Sequence, residues 1–187
     1  GSDFFFIKGS FKNTENFNNT VSLSQDIKGN KKIQIDNKVI KKRKDLFGLN
    51  NVVVFSPEEE GITKGTPLFR RNYFDRIFSI CSYEYLSSLL LYNKTIKQRN
   101  SILKNNNSLF DKEKELEIWD KPFCVNGLNL WQKREIFMNS FIDLFLKTVA
   151  KFDKNLLLNV KYDLKIKTNK DFSKKIKENK HIDLVKK

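Results

Sequence analysis

Short apolar runs separated by Gly, Asn and Asp dominate the first quarter of the chain, and many of their residues are β-branched or aromatic. Runs of this kind, bounded by turn-forming residues, are typical of short β-strands. Asp36-Asn37 fits a hairpin turn, because Asn tolerates the positive φ that such turns require. We therefore predict an antiparallel meander followed by one buried strand. The predicted strands are residues 3–8, 21–25, 31–36 and 38–42, with the buried strand at 51–55.

After residue 66 the apolar positions recur every three or four residues, which indicates amphipathic helices. Thr66 followed by Pro67 predicts a helix start, because Thr caps the first turn and Pro lacks an N–H that would be unpaired there. Four helices are predicted to begin at residues 67, 83, 109 and 128. The last three end near 104, 126 and 152. Residues 156–167 then alternate apolar and polar, which predicts a strand with one solvent-exposed face. Residues 169–180 are predicted to form a short amphipathic helix.

These elements predict an α+β fold, in which an antiparallel β-rich part precedes a helical lobe. The 187 residues suit one domain or a domain with a lobe, and 39% apolar residues leave enough hydrocarbon for a core. No apolar run approaches the ~20 residues needed to cross a bilayer. Two cysteines 43 positions apart fit a reducing cytoplasm better than a disulfide framework.

The charge balance is strongly basic, with 36 Lys and Arg against 22 Asp and Glu. A net charge of +14 fits nucleic-acid binding, because lysines near phosphates release condensed counterions. Codon bias in an A+T-rich genome would also accumulate Lys, Asn and Phe, so both explanations stay open. Residues 151–187 carry 12 Lys against five acidic residues, and this clustering is more informative than the total.

Signatures of catalysis are missing from the sequence. It contains no Gly-rich Lys-Ser/Thr phosphate loop, no dinucleotide fingerprint, no exposed-Ser elbow and no His-Glu metal pattern. The three carboxylates at 58–60 could hold a divalent cation, but solvated loop side chains are the favoured interpretation. We therefore assign neither a catalytic residue nor a metal site.

An ordered series of short motifs runs from about residue 33 to residue 140, and it resembles the central region of the RecF family, bacterial recombination mediators of the SMC and ABC-type ATPase class. Two positions depart from the family pattern: Glu59 replaces the usual Asp, and Glu60 stands where an apolar residue is usual. The matching motifs are Val53-Val54-Phe55-Ser56-Pro57-Glu58, Lys64-Gly65-Thr66-Pro67, Arg70-Arg71-Asn72-Tyr73-Phe74-Asp75, Tyr85-Leu86, Tyr92, Lys97-Gln98-Arg99-Asn100, Trp119-Asp120, Gly127 and Arg134.

The resemblance implies the antiparallel β-rich part of an ABC/SMC-type ATPase head with an inserted α-helical lobe. Residues 1–66 would belong to the head, 67–153 would form the helical lobe, and 154–187 would return to the head as a strand and helix. In the family, Walker A precedes this region, whereas the signature and Walker B segments follow it. The expectation is therefore a central fragment that does not hydrolyse ATP by itself, from a parent that is a weak ABC-type ATPase.

The implied function of the parent is ATP-dependent DNA binding at gaps, where single and double strands meet. It would help to load recombinase in DNA recombination, DNA repair, replication restart and the SOS response to DNA damage. The implied cofactors are ATP and Mg, and the implied partners are RecR, RecO and a second copy of the protein, in the cytoplasm. The alternative is a stand-alone basic DNA-binding or scaffold module without nucleotide dependence.

We single out two groups of candidate site residues, the first from the resemblance and the second from the chemistry of its side chains. The first corresponds to the Q-loop, which couples the nucleotide site to the lobe: Ser56, Pro57, Glu58, Lys64 and Gly65. The second could meet carboxylates or phosphates at an interface: Arg70, Arg71, Asp75, Gln98, Arg99 and Asn100.

The residues alone also permit an internal role for the second group. Arg70 or Arg71 could pair with Asp75 within one or two helical turns. Likewise, Arg99 and Asn100 could anchor a neighbouring turn.

Overall fold

The chain forms two compact units, Gly1–Glu59 and Glu60–Lys187, in a computed structural model. The structure describes residues 4–12, 18–41, 46, 52, 54, 56–105, 108–163, 166 and 168–185.

The first unit contains an antiparallel four-stranded sheet with strand order β1-β2-β3-β4. The predicted meander is therefore confirmed. Its first two strands are longer than predicted, because they pair residue by residue from Phe4 with Asp26 to Lys12 with Asn18. The strands are β1 (Phe4–Lys12), β2 (Asn18–Asp26), β3 (Lys31–Ile35) and β4 (Lys38–Ile40).

The β3–β4 turn has the predicted hairpin geometry. Asp36 and Asn37 both have positive φ, at 46° and 66°, as a two-residue turn of the primed type requires. The Asp36 Oδ1 atom also accepts a hydrogen bond of 2.8 Å from the Thr20 backbone N–H. This bond ties the turn to β2, and the turn thereby sets the register of the hairpin.

The buried strand predicted at 51–55 falls largely outside the described residues, which include only Val52 and Val54. Neither lies in a strand, and they are 59% and 63% exposed. A continuous Val run predicts burial on both faces only where other elements cover both faces of the sheet. The predicted burial is wrong for these two residues.

The second unit is helical, and its helices begin where their caps predict. Thr66 Oγ1 accepts from the Phe69 backbone N–H at 3.2 Å, and Ser82 Oγ accepts from the Tyr85 N–H at 3.2 Å. A 3-10 helix, Pro57–Glu60, leads into this unit. The helices are α1 (Gly61–Lys64), α2 (Pro67–Cys81), α3 (Tyr83–Lys104), α4 (Leu109–Phe152) and α5 (Asn169–Val185).

One helix of 44 residues, α4, replaces the two helices predicted at 109–126 and 128–152. The helix continues through Gly127, which is buried against the rings of Tyr92 on α3 and Phe172 on α5. A Cβ at this position would lie 3.1 Å from Tyr92 Cε2 and would overlap the Phe172 ring. Gly127 therefore permits close helix packing, and the packing of α4 against both neighbours outweighs the weak helix propensity of Gly.

The strand predicted at 156–167 is wrong for the described residues 156–163 and 166, which have no regular structure. A strand needs a hydrogen-bonded neighbour, and none of the described strands pairs with this segment. Tyr162 and Ile166 nevertheless pack against the helices. The helix that follows, α5, extends five residues beyond the predicted end at residue 180.

Two apolar clusters hold the helices of the second unit together. The first lies among α2, α3 and α4, and the second joins α4 to α5. The first cluster consists of Phe78, Tyr85, Leu130 and Met138, and the second of Cys124, Phe172 and Ile176.

No described helix is long and apolar enough to span a membrane.

We expect Gly127→Ala to destabilise the second unit. In an open helix Ala would stabilise by ~1 kcal/mol relative to Gly. Here the added methyl group must displace Phe172, and overpacking of this kind costs about 1–3 kcal/mol. Chemical denaturation followed by circular dichroism measures the difference, with the exposed Asn129→Ala as the matched control. An increase in stability for Gly127→Ala would contradict the close packing.

Candidate functional site

The segment that the family resemblance aligns with the Q-loop, residues 56–65, forms two short helical turns. The Ser56 carbonyl accepts from the Glu59 N–H at 3.0 Å, within the 3-10 helix that begins at Pro57. In α1, Lys64 Nζ donates to Glu60 Oε2 at 2.8 Å, and both side chains are exposed. The side chain of Glu58 lies outside the described part of the chain. Lys64 is thus held by an exposed ion pair of modest strength.

Arg70 fastens this segment to α2. Its Nη1 donates to the carbonyl oxygen of Gly65 at 2.9 Å. The Phe69 ring lies against Gly61, where a Cβ would come within 2.6 Å of the ring. The first contact joins the C-terminal cap of α1 to the first turn of α2, and the second joins the start of α1 to the same turn. The guanidinium of Arg70 therefore has an internal role.

A buried polar cluster joins α2, α3 and α4. Asp75 on α2 accepts two hydrogen bonds from Arg134 on α4, with Nε to Oδ1 at 3.0 Å and Nη2 to Oδ2 at 2.9 Å. The Tyr85 hydroxyl on α3 donates to Asp75 Oδ1, and Arg134 Nε also donates to this hydroxyl at 3.2 Å. The internal pairing of Arg70 or Arg71 with Asp75 is therefore wrong. The carboxylate is buried in the helix interface, where it accepts hydrogen bonds from Arg134 and Tyr85.

The cluster shifts the protonation equilibria of its own members. Burial raises the pKa of Tyr85 well above its ordinary value, and Asp75 adds to this effect while Arg134 opposes it. Burial alone would lower the pKa of Arg134, but Asp75 and Tyr85 outweigh it and raise that pKa. At neutral pH the raised pKa of Tyr85 keeps its phenol neutral, and the raised pKa of Arg134 keeps its guanidinium charged.

The Lys97-Gln98-Arg99-Asn100 motif places only Arg99 in the interior. Arg99 forms an ion pair with Asp120 of α4, and its guanidinium lies 4.8 Å from the centre of the Phe123 ring. Gln98 and Asn100 are exposed on α3. Arg99 thus anchors a neighbouring helix, whereas its two neighbours in the motif face solvent.

A cavity of about 570 Å³ opens among α2, α3, α4 and the segment after α4. Arg71 lines it from α2, one helical turn before Asp75, and Arg134 lines it from α4. Among the described residues no group of three His, Cys, Asp or Glu side chains is placed to hold a metal ion. The remaining lining residues are Leu68, Asn72, Leu89, Tyr92, Asn93, Ile96, Trp131, Tyr162, Asp163 and Ile166.

The arrangement contains residues that the candidate set omitted. Tyr85 and Arg134 complete the buried cluster around Asp75, Asp120 completes the partly buried pair with Arg99, and Tyr92 and Trp131 line the cavity. A signal for most of them was present, because all but Trp131 stand within the motifs that match the family. What the motifs do not give is which of these residues meet in space.

Comparison with known proteins places the chain in a family. The curated DNA replication and repair protein RecF of Lachnoclostridium phytofermentans is 39% identical over 129 residues, which are 66% of this chain and 35% of that protein. RecF of Leptospira interrogans is 33% identical over 145 residues, covering 75% of this chain and 39% of that protein. This chain belongs to the RecF family. It spans well under half the length of these RecF relatives, and no protein-family model matches it.

Solved RecF structures have the same fold. A structure of the recombination mediator protein RecF with ATPrS superposes with a TM-score of 0.82, covers 98% of this chain and 52% of that chain, and is 23% identical. A RecF–ATP structure gives a TM-score of 0.79 with coverage of 98% and 51%. The α+β fold predicted from the family resemblance, part of an ABC/SMC-type ATPase, is therefore confirmed.

Loss of one charge from the buried pair should strongly destabilise the helical unit. We expect Arg134→Met to lower the free energy of unfolding by about 3–5 kcal/mol, because it leaves Asp75 buried without its cation. Lys133→Met, at the adjacent half-buried lysine, should cost far less, since the Lys133–Glu84 pair is largely exposed on its Glu side. Urea denaturation of the two variants measures this. Equal losses would show that the pair is energetically ordinary.

The raised pKa of Tyr85 predicts an alkaline loss of stability. The unfolded state releases the phenolic proton near the ordinary pKa of about 10, whereas the folded state retains it. Above that pH the unfolded state binds fewer protons, so the stabilising contribution falls as pH rises. Thermal unfolding at pH 9 to 11 should therefore show a steeper fall in Tm for the native chain than for Tyr85→Phe. Parallel curves would contradict this, and Tyr83→Phe, at an exposed position, is the control.

Proposed function

We propose that this chain acts in DNA repair and replication as part of a RecF-type recombination mediator. The mediator binds DNA in an ATP-dependent way at junctions of single and double strands, and it helps to load recombinase. The observation that carries this proposal is the combination of 39% identity to a curated RecF with a RecF fold over 98% of the chain. Either alone would support a weaker statement, since fold by itself does not imply function.

The activity is proposed for a protein of the length of its relatives, of which this chain matches 35–40%. In that protein, residues 1–66 belong to the ATPase head, 67–153 form the helical lobe and 154–187 return to the head. ATP and Mg are its cofactors, and RecR, RecO and a second copy are its partners. It works in the cytoplasm, in recombination and in the SOS response to DNA damage.

The contacts around α2 support a coupling role for the Q-loop-like segment. Arg70 holds Gly65, so a movement of that segment would be transmitted to the first turn of α2. About one and a half helical turns after Arg70, Asp75 binds Arg134 and so joins α2 to α4. The proposed connection from Gly65 to α4 consists of the hydrogen bonds of Arg70 and Asp75 and the helix α2 between them. In this proposal these parts move together. In this proposal α2 transmits nucleotide state to the lobe.

The solvent-exposed side of α3 offers polar side chains to a partner. Gln98 and Asn100 both point to solvent, and Lys97 beside them is exposed as well. Polar amides and a lysine are suited to phosphate or to a polar protein rim. In this proposal the interface residues of the motif are Gln98 and Asn100, while Arg99 supports the helix that carries them.

One observation favours the stand-alone basic module. Exposed lysines of α5 include Lys170, Lys174, Lys175 and Lys177, and only Lys174 has an acidic partner, Glu178, among the ion pairs of the described residues. Such a surface binds polyanions without nucleotide and without reading sequence.

Measurements of DNA binding with and without ATP and Mg distinguish the ATP-dependent mediator from the stand-alone basic module. Two proteins are compared. One is this chain, and the other is a chimera, Lachnoclostridium phytofermentans RecF in which this chain's matching residues replace the corresponding segment. We expect this chain alone to bind duplex, single-stranded and gapped DNA weakly and equally, because it has no phosphate loop. We expect the chimera to prefer gapped DNA when ATP is present. Fluorescence anisotropy at two salt concentrations measures both.

Two outcomes would contradict the proposal. A folded chimera whose DNA binding does not depend on ATP, although that of the parent RecF does, would show that this segment cannot couple ATP binding to DNA binding. A preference of this chain alone for gapped DNA that persists at about 200 mM salt would favour the stand-alone module, since purely electrostatic binding falls steeply with salt.

A further inference from the structure

Arg71 differs from the other arginines singled out in the sequence. Arg70 donates to Gly65, Arg99 pairs with Asp120, and Arg134 donates to Asp75 and Tyr85. Within the described part of the chain, Arg71 has neither a hydrogen-bond partner nor an ion-pair partner, and it is exposed. Its planar fork can therefore donate two hydrogen bonds to a carboxylate or phosphate without losing an internal contact.

The position of Arg71 is defined by the structure around it. Asp75 stands one helical turn away on α2 and is locked to α3 and α4 by the buried cluster. Arg71 lines the 570 Å³ cavity described above, whose volume is typical of small-molecule sites (about 300–1,000 Å³).

Two aromatic side chains that line this cavity are each stacked on another aromatic ring. Tyr92 stacks on Phe123 with ring centres 5.6 Å apart and planes inclined by 10°. Trp131 stacks on Phe172 at 4.6 Å. Rings fixed in this way lose little conformational entropy when a ligand ring packs against them.

The electrostatics of the cavity favour an anion near Arg71. Asp75 and Arg134 neutralise each other at its inner side, so they add little net charge. Arg71 and Tyr92 line the same cavity, and burial raises the pKa of Tyr92 while Arg134 and Arg71 both act to lower it. Asn72 and Asn93 add amide donors. Asp163 carries an opposing charge in the segment after α4, and its effect on binding can be tested.

We propose that this cavity binds a small ligand in which a planar ring is joined to an anionic group. The ring packs against Tyr92 and Trp131, and the anionic group binds the guanidinium of Arg71. The function proposed above assigns no ligand to this cavity.

The test follows the indole N–H signal of Trp131 by NMR while phenyl phosphate is added to the full chain. The chain has two tryptophans, so Trp131→Phe assigns the signal. We expect a saturable shift of Trp131, and Arg71→Gln should weaken binding by roughly tenfold or more, as loss of a charge-assisted hydrogen bond implies. Asp163→Asn should tighten binding of the anion, because it removes a repulsive charge. Lys94→Gln removes an exposed cation on α3 that does not line the cavity, and it should leave the affinity unchanged.

Two further ligands test the two parts of the proposed ligand separately. Benzoate carries a carboxylate in place of the phosphate. Inorganic phosphate is the anion without the ring, and it should bind far more weakly. Arg71→Lys keeps the charge without the fork, so an intermediate affinity is expected, and thermal unfolding verifies that each variant is folded. Absence of a saturable Trp131 shift with both aromatic anions would overturn the proposal. So would equal affinities of native chain and Arg71→Gln, or weaker binding by Asp163→Asn.

Discussion

The carboxylate of Asp75 is the group on which the helical unit depends. It accepts hydrogen bonds from Arg134 and Tyr85, and so joins three helices at one buried point. A buried carboxylate without partners would cost several kcal/mol, so α2, α3 and α4 must meet in one register for all three side chains to be satisfied. Apolar packing of Phe78 and Leu130 beside it tolerates small shifts far better than this polar geometry does.

The same constraint determines which side chains remain available for binding. Arg134 is paired with Asp75, and Arg99 with Asp120, so moving either guanidinium to an external anion would leave a carboxylate without its cation, and the Asp75 carboxylate is buried. Arg70 is committed to the backbone of the preceding loop. The two adjacent arginines therefore have different roles: Arg70 binds the preceding loop, whereas Arg71 lines the cavity.

The long helix α4 links the polar cluster to the rest of the unit. Arg134 extends from it toward α2, while Gly127 and Cys124, about two and three turns earlier, lie against α5. Because one rigid helix carries all three residues, the positions of α2 and α5 are correlated through it. Asp120, on the same helix, adds the contact with α3.

The sequence by itself determined the features that arise from neighbouring residues. Thr66 caps its helix, Asp36 and Asn37 form their turn, and the ordered motifs identified the family, because capping and positive φ depend on a few adjacent residues. Only the tertiary structure decided which partner Asp75 has, since Arg134 lies 59 positions away and competes with nearer arginines. It also decided that α4 passes through Gly127 and that residues 156–163 form no strand. Helix continuation there depends on contact with the distant Phe172, and a strand depends on a pairing partner that local alternation cannot supply.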